Sequence, residues 1–350
     1  MSFKSFQELG YDLTDAEIKA YEKQIVQSYQ TVLKELKDSI EKSYSVLAGI
    51  TPENGNYYNE FLKHGRKEKL FIEITKQYND LYKQLNSTVS NASKIAITNN
   101  YYRQLYSKSW LAEELKFIVI PESIVELSVY GSDTAWKEIT KSIAEKFGKD
   151  QYKAPYGTLS DLLQNNKVDE LKKIQTLISQ GLQAGKSAKD LVKDLSSIIG
   201  GISEKEASGF ISNAMRILRT ETNRTMNDAA FASAKAAESQ GINIKKMWSA
   251  TLDSGTRPIH GQLDGQIREL DSPFNGGGYE VQRPGTFPSA GQNINCRCTT
   301  VDIIDDTLPT ARRGRNPVTG ENEVFDYTDF TDWAESNGLA YNKSGRLVKI

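Results

Sequence analysis

The sequence predicts a mainly α-helical N-terminal region followed by a compact α+β domain. Through most of the first 240 residues, apolar side chains recur every three or four positions, which is the spacing of one face of a helix. After Gly241 this spacing stops, and eight glycines and four prolines fall between residues 250 and 300. So many chain-breaking residues between short apolar segments predict short strands joined by turns and loops.

Two long amphipathic helices are predicted near the N-terminus. The first has Thr14 and Glu17 at capping-box spacing, and it then carries one apolar stripe. That stripe consists of Ile18, Tyr21, Ile25, Tyr29, Leu33, Leu36, Ile40, Tyr44 and Leu47. A second stripe follows Arg66, and the segment between the two is rich in Pro, Gly and Asn. Two striped helices joined by such a turn predict a helical hairpin.

Tyrosine is frequent around the second stripe, and it admits two interpretations. The residues are Tyr57, Tyr58, Tyr78, Tyr82, Tyr101, Tyr102 and Tyr106. Because a phenol combines an apolar ring with a hydroxyl group, such a face can pack inside a helical bundle or meet a partner protein.

An apolar run at 116–131 predicts an extended or buried segment. Further helices are predicted over residues 132–148, 158–166, 167–185, 187–200 and 203–241. Pro155 and two glycines interrupt the helical pattern between Gly148 and Gly157. We therefore expect a domain boundary there, which gives a helical region at 1–150, a second domain at 158–305 and an extension at 306–350.

Charge and composition exclude several classes of protein. The net charge of -1 gives no general attraction to nucleic acid, so any DNA contact would need a local patch. Arg312, Arg313 and Arg315 form the most basic short run, which is either a DNA contact or a solvated loop. The N-terminus has no export signal and no segment is long enough to span a membrane, so a soluble protein of the reducing cytoplasm is expected.

The two cysteines of the chain, Cys296 and Cys298, are separated by one residue. A disulfide between them would close too small a ring to be relaxed. Together with His260 and Asp253 they could provide four ligands for a structural zinc ion. Two alternatives remain: the cysteines are small buried packing residues, or His260 and Cys296 act as a base and a nucleophile.

A set of five residues is interpreted as a structural motif: Arg219, Glu221, Trp248, Arg257 and Asp264. Glu221 and Arg224 are three residues apart on a predicted helix and can therefore form an ion pair. Arg219 or Arg224, buried against Asp253 or Asp264, would hold the helix to the loops. Trp248 is expected in the core, Arg257 is expected to brace a loop, and Asp264 with Gly265 reads as the turn of a β-hairpin.

Four segments carry a family resemblance. They are RILRTETNR at 216–224, MWSATLDSGTRPIHGQLDG at 247–265, RPGTFPSAGQNINCRCTTVDI at 283–303 and DYTDFTDWAES at 326–336. In this order they resemble the phage Mu F-like minor head proteins, also called phage head morphogenesis proteins. The resemblance covers roughly residues 180 to 305, with a weaker match around Trp333.

The resemblance implies a minor capsid protein of a tailed phage. Such a protein associates with the portal protein, with the scaffold or major capsid protein as further expected partners, and supports head assembly, DNA packaging or DNA delivery. It is made in the host cytoplasm and resides in the virion, inside the capsid near the portal. We assign portal docking to the helices of residues 1–150.

Two other functions stay open. One is a DNA-binding accessory protein that uses the arginine run. The other is an enzyme delivered by the virion, such as an ADP-ribosyltransferase in which Arg219 and Glu221 hold a nicotinamide cofactor. Because these two residues lie within one helical turn, we expect no catalytic activity, no catalytic residues and no cofactor-binding residues. The identity of any cofactor stays open, with a structural zinc ion as the one candidate.

Overall fold

The computed structural model describes residues 3–46, 57–114, 159–200, 209–239 and 241–350. The apolar run at 116–131, the helix expected at 132–148 and the boundary expected at 148–157 lie outside these residues. The described residues separate into two compact units. The helical unit contains residues 12–46, 57–92, 159–200 and 209–219, and the second unit contains residues 3–11, 93–114, 220–239 and 241–350. This division falls within a helix, at Arg219 and Thr220, and differs from the expected segments 1–150, 158–305 and 306–350.

Six helices are described before residue 240: α1 (Phe3–Ser45), α2 (Tyr57–Lys63), α3 (Arg66–Glu114), α4 (Leu159–Gln183), α5 (Ala188–Ile199) and α6 (Gly209–Glu238). The prediction of a helical N-terminal region is confirmed. The helix α1 begins at Phe3, upstream of the expected cap Thr14. A capping sequence starts a helix only where the residues before it are not helical, and here they are. The segments 158–166 and 167–185 form one helix, α4, rather than two.

The apolar stripes of these helices form one core in the helical unit. Buried side chains come from α1 (Ile25, Tyr29, Leu36, Ile40), α3 (Ile74, Tyr78, Leu81, Tyr82, Leu85), α4 (Ile174, Ile178, Leu182) and α5 (Leu191, Leu195, Ile199). Tyr78 and Tyr82 are therefore core residues, whereas the side chains of Tyr58, Tyr101, Tyr102 and Tyr106 lie outside the described part. Because α4 and α5 share this core with α1 and α3, the N-terminal helices are not packed independently of them.

A carboxylic acid lies inside the helical unit. Glu170 of α4 is 1% exposed and accepts a hydrogen bond from the Tyr29 hydroxyl at 3.0 Å. Asn166 Nδ2 donates to the same carboxyl at 3.0 Å and to the Tyr82 hydroxyl at 2.8 Å. Burial raises the pKa of Glu170 to about 8, against the opposing effect of these hydrogen bonds and of Lys173.

The second unit is built on a three-stranded antiparallel sheet with the order β2-β1-β5, formed by β1 (Ile244–Ser249), β2 (Ile267–Glu269) and β5 (Thr299–Ile304). Ala234 and Ala237 at the end of α6 pack on Ile244 and Ile304 of this sheet. Their small side chains let the helix approach the strands closely. The expected combination of helices and short strands at the C-terminal end is thus confirmed.

Short elements fill the rest of this unit: α7 (Pro258–Leu263), β3 (Phe274–Gly276), β4 (Tyr279–Val281) and α8 (Ala290–Asn293). β3 pairs with β4 as an antiparallel hairpin. The turn expected at Asp264 and Gly265 instead follows α7, with Asp264 as the C-terminal cap. Pro258 occupies the first turn of α7, where its missing N–H leaves no helical hydrogen bond unmade.

Residues 306–350 are part of the second unit. They form β6 (Ala311–Arg315), β7 (Asn322–Asp326), α9 (Phe330–Ser336), β8 (Leu339–Tyr341) and β9 (Leu347–Lys349). Trp333 and Phe330 of α9 share an apolar cluster with Leu252. Arg315 N donates to Leu252 O at 2.8 Å, and the Tyr341 hydroxyl donates to Thr256 O at 3.0 Å. This segment therefore packs on the loop between β1 and α7.

None of the helices in the described part combines the length and the apolar character that crossing a bilayer requires.

Candidate metal centre

His260, Cys296 and Cys298 meet in the second unit. His260 is the third residue of α7, and the two cysteines lie between α8 and β5. His260 Nδ1 lies 3.1 Å from Cys298 Sγ and 3.6 Å from Cys296 Sγ. All three donor atoms are within 4.8 Å of one another. The structure thus brings together three of the four residues that the sequence suggested as metal ligands.

These three side chains are enclosed by aromatic rings. His260 is stacked on Phe287, with ring centroids 5.0 Å apart, and Trp248 presents its edge to His260 at 6.2 Å. His260 is 2% exposed and each cysteine is 3% exposed. Because a catalytic nucleophile must be reached by its substrate, this burial disfavours the base and nucleophile interpretation of His260 and Cys296.

The cysteine segment is fixed by α6. Asn227 Nδ2 donates to Cys298 O at 3.1 Å, and Asn223 Nδ2 donates to the same oxygen at 3.4 Å. The Thr220 hydroxyl accepts a hydrogen bond from Asn295 N at 3.0 Å. Asn295 has a positive φ of 53°, and this turn leads into the cysteines. The polar residues of the RTETNR segment therefore hold the backbone that carries both thiols.

Arg257 fixes the same loop from the other side. Its guanidinium donates to the carbonyl oxygen of Gln292, which lies in the short helix α8, and to that of Ile294, which directly follows this helix. Asn293 adds two hydrogen bonds to the backbone of Phe287, one from its amide to Phe287 O at 2.8 Å and one to its oxygen from Phe287 N at 3.0 Å. The loop between β4 and β5 is thus held by side-chain hydrogen bonds rather than by regular structure.

The two thiols differ in acidity. A hydrogen bond from Cys298, reinforced by His260, lowers the pKa of Cys296 well below its usual value. Burial, followed by the neighbouring Cys296, raises the pKa of Cys298. Cys296 is therefore the more acidic thiol of the pair, and Cys298 is the hydrogen-bond donor to it. Both cysteines are free.

Asp253 is not part of this group. Both of its carboxylate oxygens accept hydrogen bonds from the Arg297 guanidinium, at 2.8 Å for Oδ1 and with a shorter contact for Oδ2. Arg297 is the residue between the two cysteines, and its side chain is 46% exposed. The bidentate pair occupies the carboxylate that the sequence suggested as a fourth ligand.

Glu221 and Arg224 form the expected ion pair, whereas Arg219 and Asp264 of the structural motif pair differently from the expected arrangement. Asp264 binds Arg312, and Arg219 binds Glu22, so neither connects α6 to the loops. Arg224 pairs with Glu221 on its own helix at 2.8 Å. Sequence reasoning did not find Glu22 and Arg312 as partners, because both are far from these residues in the chain.

Asp228 supplies the connection between α6 and the loops. Its carboxylate accepts a hydrogen bond from Arg224 at 2.9 Å and another from Arg283 at 2.6 Å. The Arg283 guanidinium also lies over the Phe231 ring, 5.3 Å from its centroid. Gly285 has φ of 88° and approaches Arg224 so closely that a Cβ there would lie 3.1 Å from Arg224 Cγ. The RPG segment therefore packs directly on α6.

The arginine run does not form a single basic surface. Arg312 is buried, donates two hydrogen bonds to Asp264 at 2.6 and 2.7 Å, and binds the carbonyl oxygens of Ala250 and Thr328. Arg313 and Arg315 lie on the exposed side of β6, because side chains alternate along a strand. Arg312 is thus removed from the candidate DNA contact by its ion pair.

Comparison with known proteins identifies the region that surrounds this site. Residues 172–301 match the family model described as "Phage Mu protein F like protein". The "Minor head protein GP7" of Bacillus phage SPP1 is 27% identical over 316 residues, which cover 89% of this chain and 91% of that protein. No solved structure shows significant similarity to the chain.

Two further relatives match over a shorter part. The "NAD(+)--arginine ADP-ribosyltransferase EFV" of Enterococcus faecalis is 33% identical over 166 residues, which are 47% of this chain and 32% of that protein. An "Uncharacterized protein" of Haemophilus influenzae is 28% identical over 163 residues, which are 46% of this chain and 31% of that protein. The chain thus spans about a third of the length of these two relatives. The match to the Phage Mu protein F like family model over residues 172–301 covers α6, β1 and β2 and includes His260, Cys296 and Cys298.

Proposed function

We propose that the chain is a minor head protein that acts in the morphogenesis of a phage head. The observation that carries this proposal is the similarity to the SPP1 minor head protein, because it extends over 89% of this chain and 91% of that relative. A match of that extent includes residues on both sides of the family region at 172–301. As a minor head protein, the chain resides in the virion and contacts other head components.

We assign the contact with the portal protein to the helical unit. Residues 1–171 precede the family match, and contacts specific to one phage are expected in the part that the family does not share. Deleting residues 1–150 does not test this assignment. Ile174, Ile178, Leu191 and Leu195 lie in the core that α1 and α3 complete, so the deletion would expose them to water.

Co-expression of the full chain with the portal protein of the same genome tests the assignment. The portal protein carries the affinity tag, and cross-linking mass spectrometry locates the contact. We expect recovery of the chain, with cross-links from residues 18–92. Ile72 of α3 is 70% exposed, so Ile72→Glu alters this surface without disturbing the core, and we expect it to reduce recovery several-fold.

Val318→Glu is the matched control, because Val318 is 87% exposed in the turn between β6 and β7 of the other unit. Its recovery with the portal protein should equal that of the wild type. Cross-links confined to residues 220–350 would place the contact in the second unit. Failure to recover the chain with an assembled portal would contradict the proposed portal contact.

We further propose that the chain does not transfer ADP-ribose. The Glu221 carboxylate is buried and paired with Arg224, and Arg219 pairs with Glu22, so neither is placed to hold a nicotinamide cofactor. Incubating the purified chain with NAD labelled in the adenine ring, and with arginine-containing acceptor proteins, should give no labelled acceptor above the blank. Turnover that disappears in Glu221→Gln would overturn this proposal.

A further inference from the structure

We propose that His260, Cys296 and Cys298 bind a structural zinc ion. The ligand atoms are Nδ1 of His260 and the Sγ atoms of Cys296 and Cys298. A fourth ligand, which is not one of these three residues, completes the tetrahedron. The proposal extends the proposed function by a metal site, and it stands on the geometry of the three side chains rather than on the role of the protein in the head.

The distances between the donor atoms are those that zinc imposes. Zn–S bonds of about 2.3 Å and Zn–N bonds of about 2.0 Å at tetrahedral angles place a nitrogen and a sulfur roughly 3.5 Å apart. His260 Nδ1 lies 3.6 Å from Cys296 Sγ and 3.1 Å from Cys298 Sγ. All three donor atoms lie within 4.8 Å of one another, so they are close enough to share one ion.

The other imidazole nitrogen is held as in a metal-binding histidine. His260 Nε2 lies 3.1 Å from Gln292 Oε1, an oxygen that can only accept a hydrogen bond. Nε2 therefore carries the proton, and the lone pair of Nδ1 points at the two sulfur atoms. An acceptor that fixes the tautomer in this way accompanies most zinc-binding histidines.

The surroundings also suit thiolate ligands. Trp248 Nε1 is buried without a hydrogen-bond partner among the residues that the structure describes, and Trp248 shares a buried cluster with Cys296 and Cys298. A buried N–H group without an acceptor is costly, and a thiolate beside it supplies one. Two cysteines that were only packing residues would require neither the buried N–H group of Trp248 nor a histidine held in one orientation.

The metal ion would link α7 to the segment that carries the two cysteines. His260 belongs to α7, while the cysteines lead into β5, and the connecting loops are held by single side-chain hydrogen bonds. One ion bound by both sides would fix α7 against the strand. The site is therefore structural, since its three ligands are nearly inaccessible to solvent.

Metal analysis of the full-length wild type is the first test. The protein is produced in zinc-supplemented medium and purified without chelators and without a polyhistidine tag. We expect about one zinc ion per chain. Replacement by Co²⁺ should give thiolate-to-metal charge-transfer absorption and the intense visible bands of tetrahedral cobalt. Less than about a tenth of an equivalent of zinc, with no cobalt spectrum after reconstitution, would overturn the proposal.

Variants locate the ion. Cys298→Ser should lose the bound zinc, and Gln292→Ala, which retains all three ligands, should bind it about 10 to 100 times more weakly. His64 is the other histidine of the chain and lies half exposed in the helical unit, so His64→Gln should keep one zinc ion. Asp253→Asn should keep it as well, because Asp253 pairs with Arg297.

The Gln292→Ala variant keeps the test informative if Cys298→Ser does not fold. Zinc that remains bound with unchanged affinity in both variants would lie elsewhere and would contradict the assignment. Purified phage heads that lack the chain, with zinc retained by the purified protein, would overturn only the proposed function, so the two failures are distinguishable.

Discussion

Asp264→Ala should lower the free energy of unfolding of the second unit by about 3 to 5 kcal/mol. The side chain of Asp264 is fully buried, and that of Arg312 is 7% exposed. Removing the carboxylate leaves a buried guanidinium without its counter-ion. The carboxylate also accepts hydrogen bonds from Ala250 N at 2.6 Å and Phe330 N at 2.7 Å, so three chain segments lose their common acceptor.

Urea unfolding, followed by the fluorescence of the buried Trp248 and Trp333, measures this effect. Asp306→Asn is the control, because Asp306 is 70% exposed and pairs with Lys245 at the surface, and because asparagine tolerates its positive φ of 58°. That variant should change the free energy of unfolding by no more than about 1 kcal/mol. Equal losses in the two variants would show that the buried pair is not essential to the packing of residues 306–350.

The double variant Asp264→Ala with Arg312→Met separates the effect of the unpaired buried charge from the effect of the lost hydrogen bonds. Methionine is apolar and removes the uncompensated charge, so the double variant should be more stable than Asp264→Ala alone. A double variant that is less stable than Asp264→Ala would mean that the aliphatic part and the carbonyl contacts of Arg312 dominate.

Glu170→Gln should make the stability of the helical unit less sensitive to pH between 4.5 and about 8. The pKa of Glu170 is raised from 4.5 to about 8 in the folded protein. Its contribution to stability is therefore fully present below about pH 4.5 and is lost as the pH rises through 8. Across that window, the free energy of unfolding of the wild type should fall by about 1.4 kcal/mol per pH unit relative to the glutamine variant.

Thermal unfolding of both proteins between pH 5 and pH 9 measures the difference. Glutamine keeps an oxygen that can accept from Tyr29 and Asn166, so it tests the charge rather than the shape. Asp169→Asn, at the exposed neighbouring position of α4, is the control and should follow the wild type. Parallel curves for wild type and Glu170→Gln would contradict a buried acid that ionises near pH 8.

The sequence predicts the helices well because the apolar spacing that indicates a helix lies within the helix itself. The apolar spacing of Ile25, Tyr29 and Leu36 requires only one buried face, and the structure has that face. The acid at Glu170 was not predictable in this way. Its partner Tyr29 is 141 residues away, so a pattern within α4 contains no sign of it.

At the candidate site, residue type was more informative than spacing. Two cysteines in one short segment and a histidine in a loop-rich region indicated the cluster, and the structure brings all three together. The carboxylates were misassigned because the arginine partners of Asp253 and Asp264 are 44 and 48 residues away in the chain. Only the strand pairing that places β6 beside Leu252 brings Arg312 to Asp264. Such contacts depend on the fold as a whole.

The most direct test of the proposed function is the protein content of purified heads. Heads are collected from a lysate of the phage or prophage that encodes this chain, once with the gene intact, once with it disrupted and once with it complemented. We expect mass spectrometry to find the chain at low copy in intact heads, and electron microscopy to show fewer DNA-filled heads after disruption, restored by complementation. Heads that lack the chain, with the same yield and DNA content in all three samples, would contradict its assignment as a minor head protein.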